Sequence, residues 1–453
     1  MMTKFLTGSV VIGLVVACSS TSTPSDPDGT PDASTPKDAI LYHRDVRGII
    51  EQKCATCHTA GGIGPFALTN YSLVKAQASA VAYATKTRTM PPWHADAACN
   101  TYKGNASLTD IEIAFINKWV EGGSLEGNPA DYKAPQQTLA APEFRVDAHM
   151  ELPVAYKPKV APDEYRCFIL DQEFPATKYA TGLRVTPGNP AIVHHLISYV
   201  VKPSDVQAFK DLDAKDADPG WLCFGGPGGG NSSIAMPWLS GWAPGELGGA
   251  FPAGTGVKIA AGSKIIVQMH YNTLIEKNPA PDRTAVDVTL ADTVEKEAMV
   301  LRFLNPEWLQ GKMQIPAGST TTKHAFEVDI TPFLGPLTDG VLKNNTSITL
   351  HTSSLHMHTR GKTARLDVIR KDTNKQDCAL DIKDWNFHWQ RIYGFEKPMV
   401  MNPGDKLRIE CGWDNSAAKQ PVVDGMPLPV KDVNWGEGTQ DEMCLGSFYA
   451  TAN

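Results

Sequence analysis

Apolar and polar positions divide the 453-residue chain into distinct regimes. Residues 5–17, FLTGSVVIGLVVA, are an apolar run too short for a comfortable membrane span. Residues 19–38, SSTSTPSDPDGTPDASTPKD, hold almost nothing to bury and predict a flexible stalk. In HRDVRGIIEQK (43–53), Val46, Ile49 and Ile50 fall on one helical face. SLTDIEIAFINKWVE (107–121) opens with Thr109 and Glu112 at capping-box spacing. Ile111, Phe115 and Trp119 follow at four-residue steps, and Gly122-Gly123 ends the helix. Residues 129–150 are a proline- and alanine-rich joint. Beyond it, short β-type runs such as KIIVQMHYNT (264–273) and TSITLHTSSLHMH (346–358) alternate with turn clusters, and no helical period is sustained. Antiparallel sandwiches satisfy that pattern, and the length predicts two.

Composition is that of a globular protein, 42% hydrophobic and 20% charged, and the length suits two to four domains. A net charge of -7 with no basic stripe excludes nucleic acid as a natural partner. The 38 glycines and 33 prolines strengthen the reading of a loop-rich, mostly β chain. The apolar run ends in VVAC, which resembles a bacterial lipoprotein signal cleaved before a cysteine, Cys18, that is then lipidated. The alternative is an ordinary secretory signal beside an unrelated cysteine. The expected product is an exported lipoprotein, anchored to a membrane (the outer membrane, facing periplasm or surface), where disulfides persist.

CATCH, Cys54 to His58, fits the C-x-x-C-H signature of covalent haem. Two thiols, Cys54 and Cys57, add to the vinyl groups, and His58 takes an axial iron position. A redox C-x-x-C is the competing reading. Helix, haem motif, loop and terminal helix over 39–128 resemble a small class I cytochrome c. The loop TMPPWHAD offers Met90 as sixth ligand, held beside proline; His94 or an open position is the alternative. His43 reads as a helix-start or surface histidine.

Histidines cluster in the last two-thirds: His194 and His195 in IVHHLISYVV, His270 in IIVQMHYN, His356 and His358 in LHMH; Met443 stands before Cys444. Alternate residues share a strand face, so His356 and His358 project together, while His351 has the opposite parity. By the same rule His194 and His195 point apart unless the strand twists or ends there. Each pair alone reads more readily as satisfied or solvated histidines than as metal ligands.

The ordered set HH, QMHY, HMH and DEMC resembles the copper type II, ascorbate-dependent monooxygenases, a family that includes peptidylglycine α-hydroxylating and dopamine β-monooxygenases. The resemblance spans residues 151–453. It implies two tandem all-β jelly-roll sandwiches, 151–293 and 294–453, following the small all-α cytochrome. Each would hold one of two copper ions, facing the other across a solvent-filled cleft. His194, His195 and His270 look like the all-histidine copper that passes electrons. His356, His358 and Met443 look like the copper at which oxygen is activated, a thioether favouring Cu(I). Gln268 stands where the family often has glutamine, or is a strand-surface amide. Cys167 and Cys223 resemble one disulfide pair, and Cys411 and Cys444 a second that would hold the strand of Met443; Cys99 and Cys378 stay unassigned.

The domain plan expected is thus 1–17 signal, 18–38 tether, 39–128 cytochrome, 129–150 linker, then the two sandwiches. The resemblance implies insertion of one oxygen atom of O2 into a C–H bond of a small organic substrate. Electrons would come from ascorbate, a quinol-linked or soluble cytochrome donor, or the fused haem relaying them to the all-histidine copper. Peptide-amidating relatives clamp a carboxylate with Arg two residues before H-x-H and Tyr four after Met. Here Ser354 and Ser447 stand there, which argues against peptidylglycine. Arg360, just past His358, could approach a ligand but reads rather as a surface residue. The competing class is an anchored electron-transfer or copper-binding lipoprotein without oxygenase activity.

Overall fold

The computed structural model describes residues 38–60, 64–134, 144–223, 225–228, 236–244, 246, 248–273, 276–423 and 425–453. The expected signal, Cys18 and all but the last residue of the tether lie outside them. By its contacts the chain divides into two units, 1–39 and 40–453. Within the described residues no helix is long and apolar enough to cross a membrane.

Residues 40–453 begin with helices. A π-helical turn, Tyr42–Val46, leads into α1 (Arg47–Lys53), followed by α2 (Tyr71–Ala76), α3 (Ala78–Lys86) and α4 (Asp110–Glu121). The capping box of α4 forms as read: Glu112 N donates to Thr109 Oγ1 at 3.2 Å, and Thr109 N to Glu112 Oε2 at 2.7 Å. The inward stripe differs from the four-residue reading. Ile116 and Trp119 are buried with Ile113 and Val120 beside them, whereas Ile111 is 69% exposed. Four residues advance a helix by about 400°, so Ile111 lies roughly 80° from Trp119. Val46 and Ile50 meet this stripe in a core with Tyr42, Leu68 and Val81.

The rest is mostly β. In chain order the strands are β1 (Ala148–Glu151), β2 (Asp163–Ile169), β3 (Lys178–Thr186), β4 (Val193–Val201), β5 (Trp221–Leu222), β6 (Trp238–Trp242), β7 (Gly249–Ala250), β8 (Thr255–Ile259), β9 (Lys264–Asn272) and β10 (Ala285–Ala291). They continue as β11 (Lys296–Phe303), β12 (Thr322–Val328), β13 (Ile348–His356), β14 (Gly361–Ile369), β15 (Gln376–Ile382), β16 (Tyr393–Met401), β17 (Lys406–Trp413), β18 (Val422–Val423), β19 (Met426–Pro427) and β20 (Leu445–Ala452). One long sheet runs β1-β10-β3-β8-β11-β20-β13-β16, with β7 beside β3. Two shorter sheets, β5-β2-β9-β4-β6 and β12-β17-β14-β15, supply the remaining layers. One apolar core joins the first half of the long sheet to the β5–β6 sheet, and another joins its second half to the β12–β15 sheet. The halves are stitched where β8 and β11 pair in parallel, Gly256 opposite Glu297. The sandwiches therefore share a continuous sheet.

Residues 93–103 leave the helical segment and bind the second sandwich. Ala95 bridges to Ile382 of β15, and Tyr102 to Phe395 of β16. Asp96 N donates to Asp381 O and Lys103 N to Gly394 O, both at 2.8 Å. Trp93, Ala95 and Tyr102 belong to that sandwich's core. Cys99 is disulfide-bonded to Cys378, with Cα atoms 5.2 Å apart. This strap pairs the two cysteines left unassigned from the sequence.

Candidate metal centre

The problem posed by adjacent His194 and His195 is solved by a bulge. On the β4–β9 ladder Val193 opposes Tyr271 and His195 opposes His270, so His194 is an extra residue in β4. A bulge re-aims side chains that regular alternation would send to opposite faces. His194, His195 and His270 consequently present ring nitrogens that all lie within 4.8 Å of one another. His194 Nδ1 is 3.2 Å, and His270 Nδ1 3.3 Å, from His195 Nδ1.

Second contacts settle which nitrogens are free. His270 Nε2 donates to Asp163 Oδ1 at 2.9 Å, which leaves its Nδ1 lone pair directed at the cluster. Tyr165 stacks on the same ring at 4.1 Å and 9°. Burial raises the Asp163 carboxyl, but hydrogen bonds from His270 and Asn272 outweigh this and hold it below its ordinary value. Burial, then the neighbouring imidazoles, pushes His194 and His195 well below the usual histidine range. His194 Nε2 is buried with no hydrogen-bond partner among the described residues. Neutral rings with converging lone pairs fit a cation that accepts nitrogen donors, and imidazole suits copper.

The second set forms at the end of β13. His356 and His358 have ring centroids 5.1 Å apart. His356 Nδ1 bonds Gln390 Oε1 at 2.5 Å, and His358 Nδ1 bonds the Asp441 carbonyl at 3.1 Å. Both rings thus keep their protons on Nδ1 and present Nε2. Burial takes His356 down to about 4 and His358 well below its usual value. Met443 is buried and lines the same cavity as His356 and His358. Two imidazoles and a thioether fit copper, particularly Cu(I).

Glu442 joins these ligands, and sequence reasoning missed it. Its carboxylate accepts from His358 N (3.0 Å), Arg360 N (2.6 Å) and Trp413 Nε1 (2.9 Å). One side chain thereby locks the turn after β13 beside Met443. Burial pushes its carboxyl up to about 7 despite these donors. On the other side of Met443, Cys444 is bonded to Cys411 of β17. Cys167 of β2 is bonded to Cys223 beneath the first set.

Three readings need correcting. Arg360 is 1% exposed rather than at the surface, with its guanidinium on Asn415 Oδ1, Gln440 O and Gln420 Oε1. Gln268 is buried, donating to Cys223 O at 2.7 Å, so it is not a strand-surface amide. The two histidine sets do not face each other across an open cleft. The rings of His195 and His356 are 5.8 Å apart, and Phe387 stacks on His194 at 4.4 Å. The loop that carries Phe387, His388 and Gln390 folds over both sets, a feature without periodicity to betray it.

A cavity of about 480 Å³ opens beside the second set. Its floor is one face of β11, β20 and β13: Arg302 opposes Ser447, which opposes Ser354, two residues before His356. Ser354 and Ser447 hydroxyls bond each other at 2.6 Å. Trp238, Trp242 and Phe251 line the facing side.

In the helical segment, His58 Nδ1 bonds Phe66 O at 2.9 Å, leaving Nε2 for a metal. A Cβ on Gly64 would lie 2.6 Å from His58 Nδ1, so only glycine fits there. Cys54 and Cys57 are not disulfide-bonded. Burial, then the charge of Cys57, pushes the Cys54 thiol up to about 12, the reverse of a reactive redox thiol. Two unpaired thiols and the open Nε2 of His58 are the donor set that covalent haem needs. Met90 is half-buried in the loop after α3, while His94 turns to the sandwich, beside Asp384 and Arg391. His43 starts the first helical turn as read but is buried, its Nε2 3.4 Å from Glu126 Oε1.

Residues 310–450 match the family model described as copper type II ascorbate-dependent monooxygenase, C-terminal domain. That span contains His356, His358, Glu442 and Met443. The chain is similar to MOXD1 homolog 1 of Drosophila melanogaster, 24% identical over 111 residues. The alignment takes in 24% of this chain and 14% of that protein's length. Among solved structures, the major capsid protein P2 of bacteriophage PM2 covers 67% of this chain and 97% of its own, with 9% identity and a TM-score of 0.23. The cowpea mosaic virus top component covers 73% and 95%, with 10% identity and a TM-score of 0.27.

Proposed function

We propose that the chain is an exported, copper-dependent monooxygenase that hydroxylates a C–H bond of a small organic molecule with O2. The observation that carries this reading is the convergence of His194, His195 and His270 with His356, His358 and Met443 beside one cavity of about 480 Å³. His194, His195 and His270 would hold one copper; His356, His358 and Met443 would hold the other; Cys54, Cys57, His58 and Met90 would hold haem. Copper there would supply one-electron redox chemistry and O2 activation, and haem a further electron store.

The residues around these sets have definable tasks. Asp163, Gln390 and the Asp441 carbonyl hold imidazole protons away from the ligand positions. Glu442, bonded to His358 N, and the Cys411–Cys444 disulfide fix the chain on either side of Met443. The aromatic wall of Trp238, Trp242 and Phe251 favours a substrate with an apolar part, beside the ionisable Arg302 and Glu437 of the same lining. Ser354 and Ser447, already bonded to each other, offer no bidentate carboxylate clamp, which supports a substrate other than peptidylglycine. The three disulfides support an extracytoplasmic location, consistent with a lipid anchor at Cys18. Ascorbate, a quinol-linked or soluble cytochrome, or the fused haem would supply electrons.

The test is oxygen uptake by copper-loaded protein with ascorbate. Uptake that disappears in Met443→Ala, with copper kept at the all-histidine set, supports the enzyme. No uptake with both coppers bound and haem reducible supports an electron carrier instead.

A further inference from the structure

The strap of residues 93–103 begins three residues after Met90 and is held to the second sandwich by backbone pairing and by Cys99–Cys378. At its start Trp93 packs on two residues of the segment that follows Gln390. The Arg391 guanidinium lies 5.1 Å from the Trp93 ring centroid, and Tyr393 meets Trp93 edge-on at 5.2 Å. Arg391 is covalently next to Gln390, whose Oε1 is 2.5 Å from His356 Nδ1. From Met90 to His356 the route is therefore covalent or hydrogen-bonded except for one van der Waals step, between Trp93 and Arg391. Reaching His194 from Gln390 takes two further residues to His388 or three to Phe387, and then a through-space step between rings whose centroids are 5.7 or 4.4 Å apart. Electron tunnelling favours bonds and hydrogen bonds over gaps, so the shorter connected route is the faster one.

We propose that this strap is the electron inlet of the second ligand set: Trp93, Arg391 and Gln390 carry an electron from haem at Cys54 and Cys57 to copper on His356, rather than to the set at His194, His195 and His270. The inference rests on the haem and copper assignment above and reverses its expected order of transfer. Ferrous haem becomes ferric, Cu(II) becomes Cu(I), one electron moves, and no bond forms or breaks. The covalent strap has a purpose in this scheme, since it holds the haem segment's loop in fixed contact with the ligand-bearing sheet.

The experiment is anaerobic stopped flow on the full chain carrying haem and Cu(II), mixed with less than one equivalent of dithionite. Haem absorbance reports reduction and reoxidation, and freeze-quenched EPR reports which Cu(II) signal is lost. Expected is a fast haem reoxidation matched by loss of the His356-set signal, retained in His194→Ala and absent in His356→Ala. Trp93→Leu, two contacts removed from any ligand, loses the fast phase while copper content, copper spectra and haem potential stay unchanged. Fast transfer that survives His356→Ala and Trp93→Leu but disappears in His194→Ala overturns the inference and leaves the relay intact. Wild-type haem that is never reoxidised with both coppers bound overturns the relay itself, and a protein without haem or copper overturns the assignment beneath it.

Discussion

Replacing Glu442 by alanine removes a fully buried carboxylate that accepts from His358 N, Arg360 N and Trp413 Nε1 at 3.0, 2.6 and 2.9 Å. Each stranded buried donor costs about 1–3 kcal/mol, so three give roughly 3–9 kcal/mol. Part of that is offset, because ionising this carboxylate in the fold is itself unfavourable. Its rise from 4.5 to about 7 corresponds to roughly 3 kcal/mol at high pH. Subtracting the offset leaves a net loss of roughly 0–6 kcal/mol, centred near 3 kcal/mol, the scale of breaking a buried network. Glu442→Gln falls between, since its amide oxygen replaces part of the acceptor while its NH2 faces a donor. Urea unfolding followed by tryptophan fluorescence, with metal chelated, reads the stability. Copper titration reads the second consequence, weakened binding at His356, His358 and Met443 with the all-histidine set unchanged. A Glu442→Ala protein that binds copper at His356, His358 and Met443 as tightly as wild type would refute the reasoning.

Gln390→Leu removes the acceptor that keeps the His356 proton on Nδ1; copper affinity at that set should fall roughly 10–100-fold in a competitive chelator titration, and unchanged affinity would contradict the assigned tautomer. Cys378→Ser opens a link between residues 279 apart in sequence, and a loss of about 2–4 kcal/mol is expected in denaturant unfolding. Glu437, in the cavity wall, has its carboxyl pushed up to about 7 by burial and then by Asp441. A raised carboxyl contributes stability below its unfolded value and loses it as pH rises, so the Glu437 contribution should fall between about pH 4.5 and 7, opposite in sign to that of the buried neutral histidines. Glu437→Gln lacks that falling contribution, so its stability should rise more steeply with pH than wild type across this window, and an unchanged slope would sink the assignment.

What was legible in the sequence follows from period. His356 and His358 share a strand face by alternation, and the structure brings them together. The Thr109–Glu112 box is local and forms as read. The cluster of His194 with His195 depends on a bulge, which no two-residue pattern announces. Glu442 stood next to Met443, but its role depends on Trp413 and the turn after His358, 29 and 84 positions away. An acidic residue amid the ligands was the available signal. The strap escaped notice because its partners, Cys378, Ile382 and Phe395, are nearly three hundred residues distant. Ile111 was misplaced because steps of four overrun the helical period. Arg360 and Gln268 were misread because burial of a polar side chain is decided by partners from other elements, not by its own strand.

The most direct measurement is a count of copper and haem on the purified full chain. Two coppers and one covalent haem per chain are predicted, with one copper lost in His195→Ala and the other in His356→Ala. Zinc in place of copper, a single metal site, or both metals lost together in either variant would contradict the account.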